Sequence, residues 1–383
     1  MNKKLMTGCV SLVCMFLFCA CAQVPSSSVS GLDPDNFKAE KDGQETGLFI
    51  LKNGQGMEVC VTNFGGRVVS VMVPDKADSL RDVVLGFDNV SDYMQIPSDF
   101  GASIGRFANR IAQGRFTLDG TVYELPKNNF GHCLHGGPNG WQYKIYEVEK
   151  VTDNSITLVR HSPDGDESFP GNVTAKVTYS VTTDNALEIA YEATTDKPTV
   201  INMTNHSYFN LSGDPASSIL DHVLYVNATY FTPVGRTLIP TGEMVPVAGT
   251  PMDFTNPKAI GKDIDDTGYE QILFGNGFDH NWVLETKGDM STVAATLFSP
   301  QSGIVMDVYT DEPGIQVYSG NFLNGTVQGK NGITYQRRSA ICLETQHYPD
   351  SPNRPEWPSV ILRPGETYKS HCTYKFRTVT FLR

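Results

Sequence analysis

The chain has 383 residues, 40% hydrophobic and 19% charged, a balance that builds a large folded core and excludes a disordered or fibrous protein. Its formal net charge of −12 excludes a polyanion such as nucleic acid as partner, because that role needs a concentrated basic face. A neutral ligand suits this balance better.

The chain opens on Met1-Asn2-Lys3-Lys4 and an apolar run from Leu5 to Ala22, the basic and apolar regions of an export signal, too short to read first as a membrane span. Residues 1–22 are therefore expected to be a leader, and residues 23–46 a tether and N-terminal segment ahead of one domain over 47–383. Ala20-Cys21-Ala22 allows two endings. Cleavage after Ala22 would release a soluble periplasmic protein. Lipidation at Cys21 is favoured by the small residue before it and would anchor the protein to the membrane. Residues 23–31, uncharged and rich in Ser and Val, would then form a flexible tether. Outside the leader, Cys60, Cys133, Cys342 and Cys372 are spaced too widely for a metal knuckle. They read as buried thiols, with a disulfide as the alternative in an oxidising compartment.

From Leu48 onward strand follows strand. Residues 57–63 and 67–73 alternate and stop at Gly65-Gly66 and Pro74-Asp75. Residues 115–118 and 121–125 flank Asp119-Gly120, a strong two-residue hairpin signal. Further β-like runs cover 156–160, 173–182, 186–193, 222–227, 292–298, 304–309, 315–319 and 368–376. No window carries a long helical stripe and no fixed period repeats, so an all-β protein is expected, a large antiparallel β-sandwich.

Five stretches place polar groups at strand ends. They are Ile104-Gly105-Arg106-Phe107-Ala108-Asn109-Arg110-Ile111, Cys133-Leu134-His135-Gly136-Gly137-Pro138, Asn202-Met203-Thr204-Asn205-His206-Ser207-Tyr208-Phe209-Asn210-Leu211, Gly277-Phe278-Asp279-His280-Asn281, and Ile341-Cys342-Leu343-Glu344-Thr345-Gln346. Glu344 is the most informative. An acid in a run that otherwise reads as buried strand costs several kcal/mol unless it is paired or used. Each residue also has a plain reading: a salt bridge for Glu344, a structural imidazole for His206, a turn for Asp279, a core ion pair for Arg110. Gly136-Gly137 is a poor phosphate cradle, having no P-loop lysine or following helix.

In this order and spacing the five stretches resemble the aldose 1-epimerase (galactose mutarotase) family, from about Gly47 to Phe376. The likeness extends to Asp164-Gly165-Asp166-Glu167-Ser168-Phe169-Pro170-Gly171, to Glu312 through Leu323 and to Leu362-Arg363-Pro364-Gly365-Glu366-Thr367-Tyr368. The resemblance implies the large antiparallel sandwich and an isomerase that needs no cofactor. It implies Glu344 as general base and His206 as general acid. Asn109, Arg110 and His135 would bind sugar oxygens, and Asp279, with Gln316 beside it, would hold ring hydroxyls. Asn139-Gly140-Trp141-Gln142-Tyr143-Lys144 departs from the family pattern, which touches sugar preference more than activity.

The residue types suit that chemistry. Exchanging α and β anomers requires removing the C1 hydroxyl proton while protonating the ring oxygen, so one base and one acid must face the sugar together. A cationic His206 beside Glu344 is expected to hold the carboxylate ionised, and the carboxylate to hold the imidazolium. Activity near neutral pH would follow, with an acid limb from Glu344 and an alkaline limb from His206. Tyr208, Trp141, Trp282 and Phe322 are candidates to pack the sugar's apolar face, although aromatics in a β core are usually core. Asp164-Gly165-Asp166 hints at a structural Ca2+, but it lacks EF-hand spacing and reads as a turn. The expected partner is a monosaccharide, and the expected state a monomer. Two alternatives remain: a glycoside hydrolase using Glu344 and Asp279 as its carboxylate pair, or a non-catalytic carbohydrate-binding protein.

Overall fold

The computed structural model describes residues 28–379. The expected leader, with Cys21 and both cleavage alternatives, lies outside the described residues.

Two antiparallel sheets face each other across the main core. The larger has nine strands, whose central ones are Val173–Val181, Ala186–Thr195, Tyr368–Thr378 and Ile304–Thr310, side by side in that order. Val173–Val181 alternates strictly between buried and half-buried positions, the mark of one face on a core and one towards water. The smaller sheet runs Val245–Pro246, Tyr230–Thr232, Asp279–Val283, Gly314–Tyr318, Cys342–Gln346. Leu187, Ile189, Tyr191 and Tyr374 of the first sheet meet Trp282, Ile315, Val317 and Leu343 of the second in one cluster. Tyr374 Oη donates to Leu343 O at 2.8 Å across the gap, so a polar hydroxyl in that core is satisfied. A four-stranded sheet, Leu48–Lys52, Glu58–Thr62, Arg67–Pro74 and Leu80–Asp82, completes the sandwich.

The all-β expectation holds, and the Asp119-Gly120 hairpin forms between Arg115–Leu118 and Thr121–Glu124. Both turn residues have positive φ, 50° and 79°, as a type I′ turn requires. Two α-helices that the pattern did not announce, Val90–Gln95 and Glu270–Gly275, have six residues each, too few for a periodic stripe. No helix among the described residues is long and apolar enough to cross a membrane. Cys60, Cys133, Cys342 and Cys372 are buried and unpaired.

The tether expectation needs correction from Ser28 onward. Glu58, a buried carboxylate, accepts hydrogen bonds from Ser28 Oγ at 2.5 Å and from the Val29 amide at 2.9 Å, and Lys52 lies 3.2 Å away. Leu32 and Phe37 then enter a second apolar cluster with Phe64, Leu85 and Tyr93. Ser28 and Val29 thus dock because a buried acid offers one hydroxyl and one amide a partner. Phe37 is fully buried, so Phe37→Ala is expected to lower unfolding free energy by about 3–5 kcal/mol in urea titration. A loss below about 1 kcal/mol, the scale of an ordinary surface change, would contradict its place in the core.

Candidate active site

Strand pairing builds the floor of the site. Glu344 lies opposite Gln316, and Gln316 opposite Asn281; one step along, Cys342 lies opposite Tyr318 and Tyr318 opposite Asp279. Side chains two apart share a face, so Glu344, Gln316, Tyr318 and Asp279 all project away from the core that takes Leu343, Val317 and Trp282. Cys342–Gln346 is buried on both faces, which is why it reads as a core strand with an acid inside it.

His206 ends the Thr204–His206 strand, which pairs with Ala102–Ile104 and packs beside Cys342–Gln346. Thr204 Oγ1 donates to Thr345 O at 2.8 Å, fixing the two strands to each other. The imidazole Nε2 stands 3.5 Å from Glu344 Oε1, too long for a good hydrogen bond. His206 Nδ1 and Glu344 Oε2 are buried and have no hydrogen-bond partner in the protein. Tyr208 stacks on the imidazole with ring centres 5.0 Å apart and planes 22° apart, and sets its tilt.

The third wall is a clamp between two residues in left-handed backbone conformation, Asn109 (φ 64°) and His135 (φ 51°). The His135 amide donates to Asn109 O, and the Asn109 amide donates to His135 Nδ1, both at 3.0 Å. With Nδ1 accepting, the proton of the neutral ring sits on Nε2, and His135 is a hydrogen-bond donor. Gly136 follows because a Cβ there would meet Gly105 O at 2.2 Å, so the glycine pair serves packing. Arg110 Nε donates to Asn129 Oδ1 at 3.0 Å, and its Nη2 lies 4.0 Å from Asp279 Oδ2. Asp279 Oδ1 accepts from Gln316 Nε2 at 2.8 Å.

These walls enclose a cavity of about 260 Å3 lined by Asp99, Asn109, Arg110, Asn129, Phe130, Leu134, His135, His206, Tyr208, Asp279, Tyr318, Phe322 and Glu344. Seven of the eight residues expected from sequence line it. Gln316 does not; it stands behind Asp279 and holds that carboxylate. Of the aromatic candidates, Tyr208 and Phe322 reach the cavity, whereas Trp141 and Trp282 are core. Arg106 is buried and donates to Pro170 O and Ser162 Oγ, both at 2.6 Å. Asp164 bonds Lys197, and Asp166 accepts from Ser162 Oγ, so the acids of that turn have protein partners. Asp99, Asn129, Phe130, Leu134 and Tyr318 were not singled out. Tyr318 was within reach, lying two residues after Gln316 and so on the same face.

The electrostatics reverse one expectation. Burial is the largest influence on both members of the pair: it pushes the Glu344 carboxyl well above the usual range, helped by Asp279 and Asp99, and it pulls the His206 imidazole down against an upward pull from Asp99. Burial therefore works towards the neutral form of the pair, an acid beside a neutral imidazole, and against the mutual stabilisation of charge expected from sequence. Burial also takes His135 down to about 3.

The aldose 1-epimerase family model matches residues 47–375. A galactose mutarotase from Sus scrofa is 43% identical over 326 residues, covering 85% of this chain and 92% of that one. An aldose 1-epimerase from Escherichia coli K12 is 39% identical over 338 residues, covering 88% and 96%. Among solved structures, an aldose epimerase homologue from C. elegans aligns with a TM-score of 0.82 at 32% identity, covering 88% of this chain and all of that one.

Ring-nitrogen NMR checks the clamp. His135 is expected to stay neutral, with its proton on Nε2, from pH 8 down to pH 5, since its imidazole is held down to about 3. Titration of His135 near its ordinary value of about 6.5 would contradict the buried, accepting Nδ1.

Proposed function

The chain belongs to the aldose 1-epimerase family and interconverts the α and β anomers of aldoses, and from that premise we propose that Glu344 is the general base and His206 the general acid. The observation that carries this assignment is the pair itself: two buried groups, 3.5 Å apart, each with an unpartnered buried polar atom, both lining a sugar-sized cavity. Ionised Glu344 takes the C1 hydroxyl proton while protonated His206 gives its proton to the ring oxygen; the C1–O5 bond breaks and C1 becomes an aldehyde. Rotation about C1–C2 turns the other face of the carbonyl to the ring oxygen. Closure returns a proton from Glu344 to O1 and one from O5 to His206.

Burial makes this direction useful. Ring opening turns the charged pair into the neutral one, and the neutral pair is the form favoured in the buried site. That gain offsets part of the free energy needed to form the open-chain aldehyde. Both protons come from side chains and return to them, so the steps call for no cofactor. Arg110, Asp279, Asn109 and His135 bind hydroxyls, Tyr208 orients the acid, and Gln316 orients Asp279. The relatives named galactose mutarotase support galactose as a substrate, and glucose, which differs from it at one hydroxyl, is proposed beside it. Neither a hydrolase nor a binding module draws support from the relatives, whose names are those of epimerases. The family match over 47–375 and a core drawing on strands from Leu51 to Phe376 support one domain over 47–383. The leader pattern supports export to the periplasm with a lipid on Cys21.

Glu344→Gln and His206→Asn are each expected to slow anomer exchange of α-galactose by about 10²–10⁴, followed by optical rotation. A folded variant within a few-fold of wild type would remove that residue from the assignment. The rate is expected to be bell-shaped in pH. A second proton on the pair blocks the base at low pH, and loss of the shared proton removes the acid at high pH. Because burial lowers His206 and raises Glu344, the acid limb tracks His206 and the alkaline limb Glu344, the reverse of the sequence expectation. In cells, Cys21→Ala is expected to move the protein from the membrane to the soluble periplasmic fraction; unchanged partition would favour cleavage after Ala22.

A further inference from the structure

Three carboxylates line the cavity, and two have a stated use. Glu344 is the base, and Asp279 is held between Gln316 and Arg110. Asp99 is the third. Among the described residues its side chain has no hydrogen-bond or ion-pair partner, yet its backbone is firmly placed. Arg67, fully buried, donates to Ser98 O and Phe100 O at 2.9 Å and to Gln142 O at 2.8 Å, gripping the main chain on both sides of residue 99. The Gly101 amide donates to His206 O at 3.0 Å, which ties this loop to the acid. Gly101 also packs tightly on the Val68 main chain, where a Cβ would meet Val68 O at 1.8 Å.

Asp99, His135 and His206 bring ligand-type atoms within 4.8 Å of one another, but they do not make a metal centre. His135 Nδ1 already accepts the Asn109 amide, and the other nitrogen carries the ring proton. The cluster instead gives direction. His206 belongs also to a second cluster with Glu344 and Cys342, so the wall runs from Asp99 and His135 through His206 to Glu344. With Glu344 as base and His206 as acid, a bound sugar would place O1 at Glu344 and its ring oxygen at His206. Beyond the ring oxygen, away from O1, come C5 and its substituent. On the Glu344 side, Asp279 and Arg110 remain for the hydroxyls that follow C1.

Resting on the acid and base roles above, we propose that Asp99 reads the C5 substituent of the sugar: its carboxylate accepts a hydrogen bond from the C6 hydroxyl of a hexose and turns away a C6 carboxylate or phosphate. Charge supports this. The one guanidinium lining the cavity, Arg110, sits beside Asp279, His135 is neutral, and the proton of His206 is directed to the ring oxygen, so an anionic group at C6 would meet Asp99 with no cation assigned to it.

The test compares sugars that differ only at C5. D-Galactose and L-arabinose share a ring apart from the hydroxymethyl group, as do D-glucose and D-xylose. Polarimetry with the full mature chain gives kcat/KM for each. In Asp99→Ala the galactose-to-arabinose ratio is expected to fall by about 10- to 100-fold, the scale of one hydrogen bond to a charged group. D-Galacturonate is expected to be a poor substrate for wild type and to improve several-fold in Asp99→Asn. Equal losses on hexose and pentose would overturn the assignment and make Asp99 a support for His206, as would wild-type turnover of galacturonate matching that of galactose. If wild type accelerates neither hexose nor pentose, the acid/base reading itself fails. If it accelerates both and the ratio survives in Asp99→Ala, only the role of Asp99 does.

Discussion

A carboxyl group held at 1% exposure on the cavity face of a β-strand is the constraint around which this molecule is arranged. An isolated buried carboxylate is several kcal/mol out of favour, so its surroundings must either neutralise it or give it a partner in its work. The strands beside it do not supply a permanent partner: Gln316, directly opposite Glu344, turns its amide to Asp279. The neighbour left is an imidazole on another strand, at a distance that binds neither group to the other. The sandwich behind, with Leu343, Val317 and Trp282 packed against the large sheet, keeps these side chains from relaxing apart.

Much of the catalytic floor was legible because polar stretches stand out at strand ends, and the family resemblance gave those residues their roles. Glu344 follows Ile341-Cys342-Leu343 in a strand whose apolar neighbours announce burial, and an acid in such a run has to be explained. Orientation was less legible. Gln316 occupies the expected strand and face, yet its amide turns to a carboxylate, a choice made by cross-strand geometry. Asp99, Asn129 and Phe130 come from loops, where no period marks which side chain faces a cavity. Trp141 and Trp282 were candidates by chemistry and are core by topology.

The sign of the electrostatics could not be read from the partners alone. Listing Glu344 beside His206 suggests mutual stabilisation of charge, which would hold in water. Removing water pushes both groups towards neutrality, and how far water is removed depends on the whole fold. The same fact turns a static ion pair into a proton relay. A pair locked in its charged form would bind the closed ring well and resist giving up its protons.

The two sides of the cavity are held by different means. Asn109 and His135 hold each other partly through the His135 ring, so a change of that side chain disturbs the wall. The loop around residue 99 is gripped by Arg67 through main-chain carbonyls, which remain whatever side chain residue 99 carries. Its path is indifferent to what it displays. Position 99 is therefore a place where new sugar preferences can arise by single substitutions without re-engineering the scaffold, while the proton-transfer wall stays frozen: the fold separates the part of the site open to change from the part that is not.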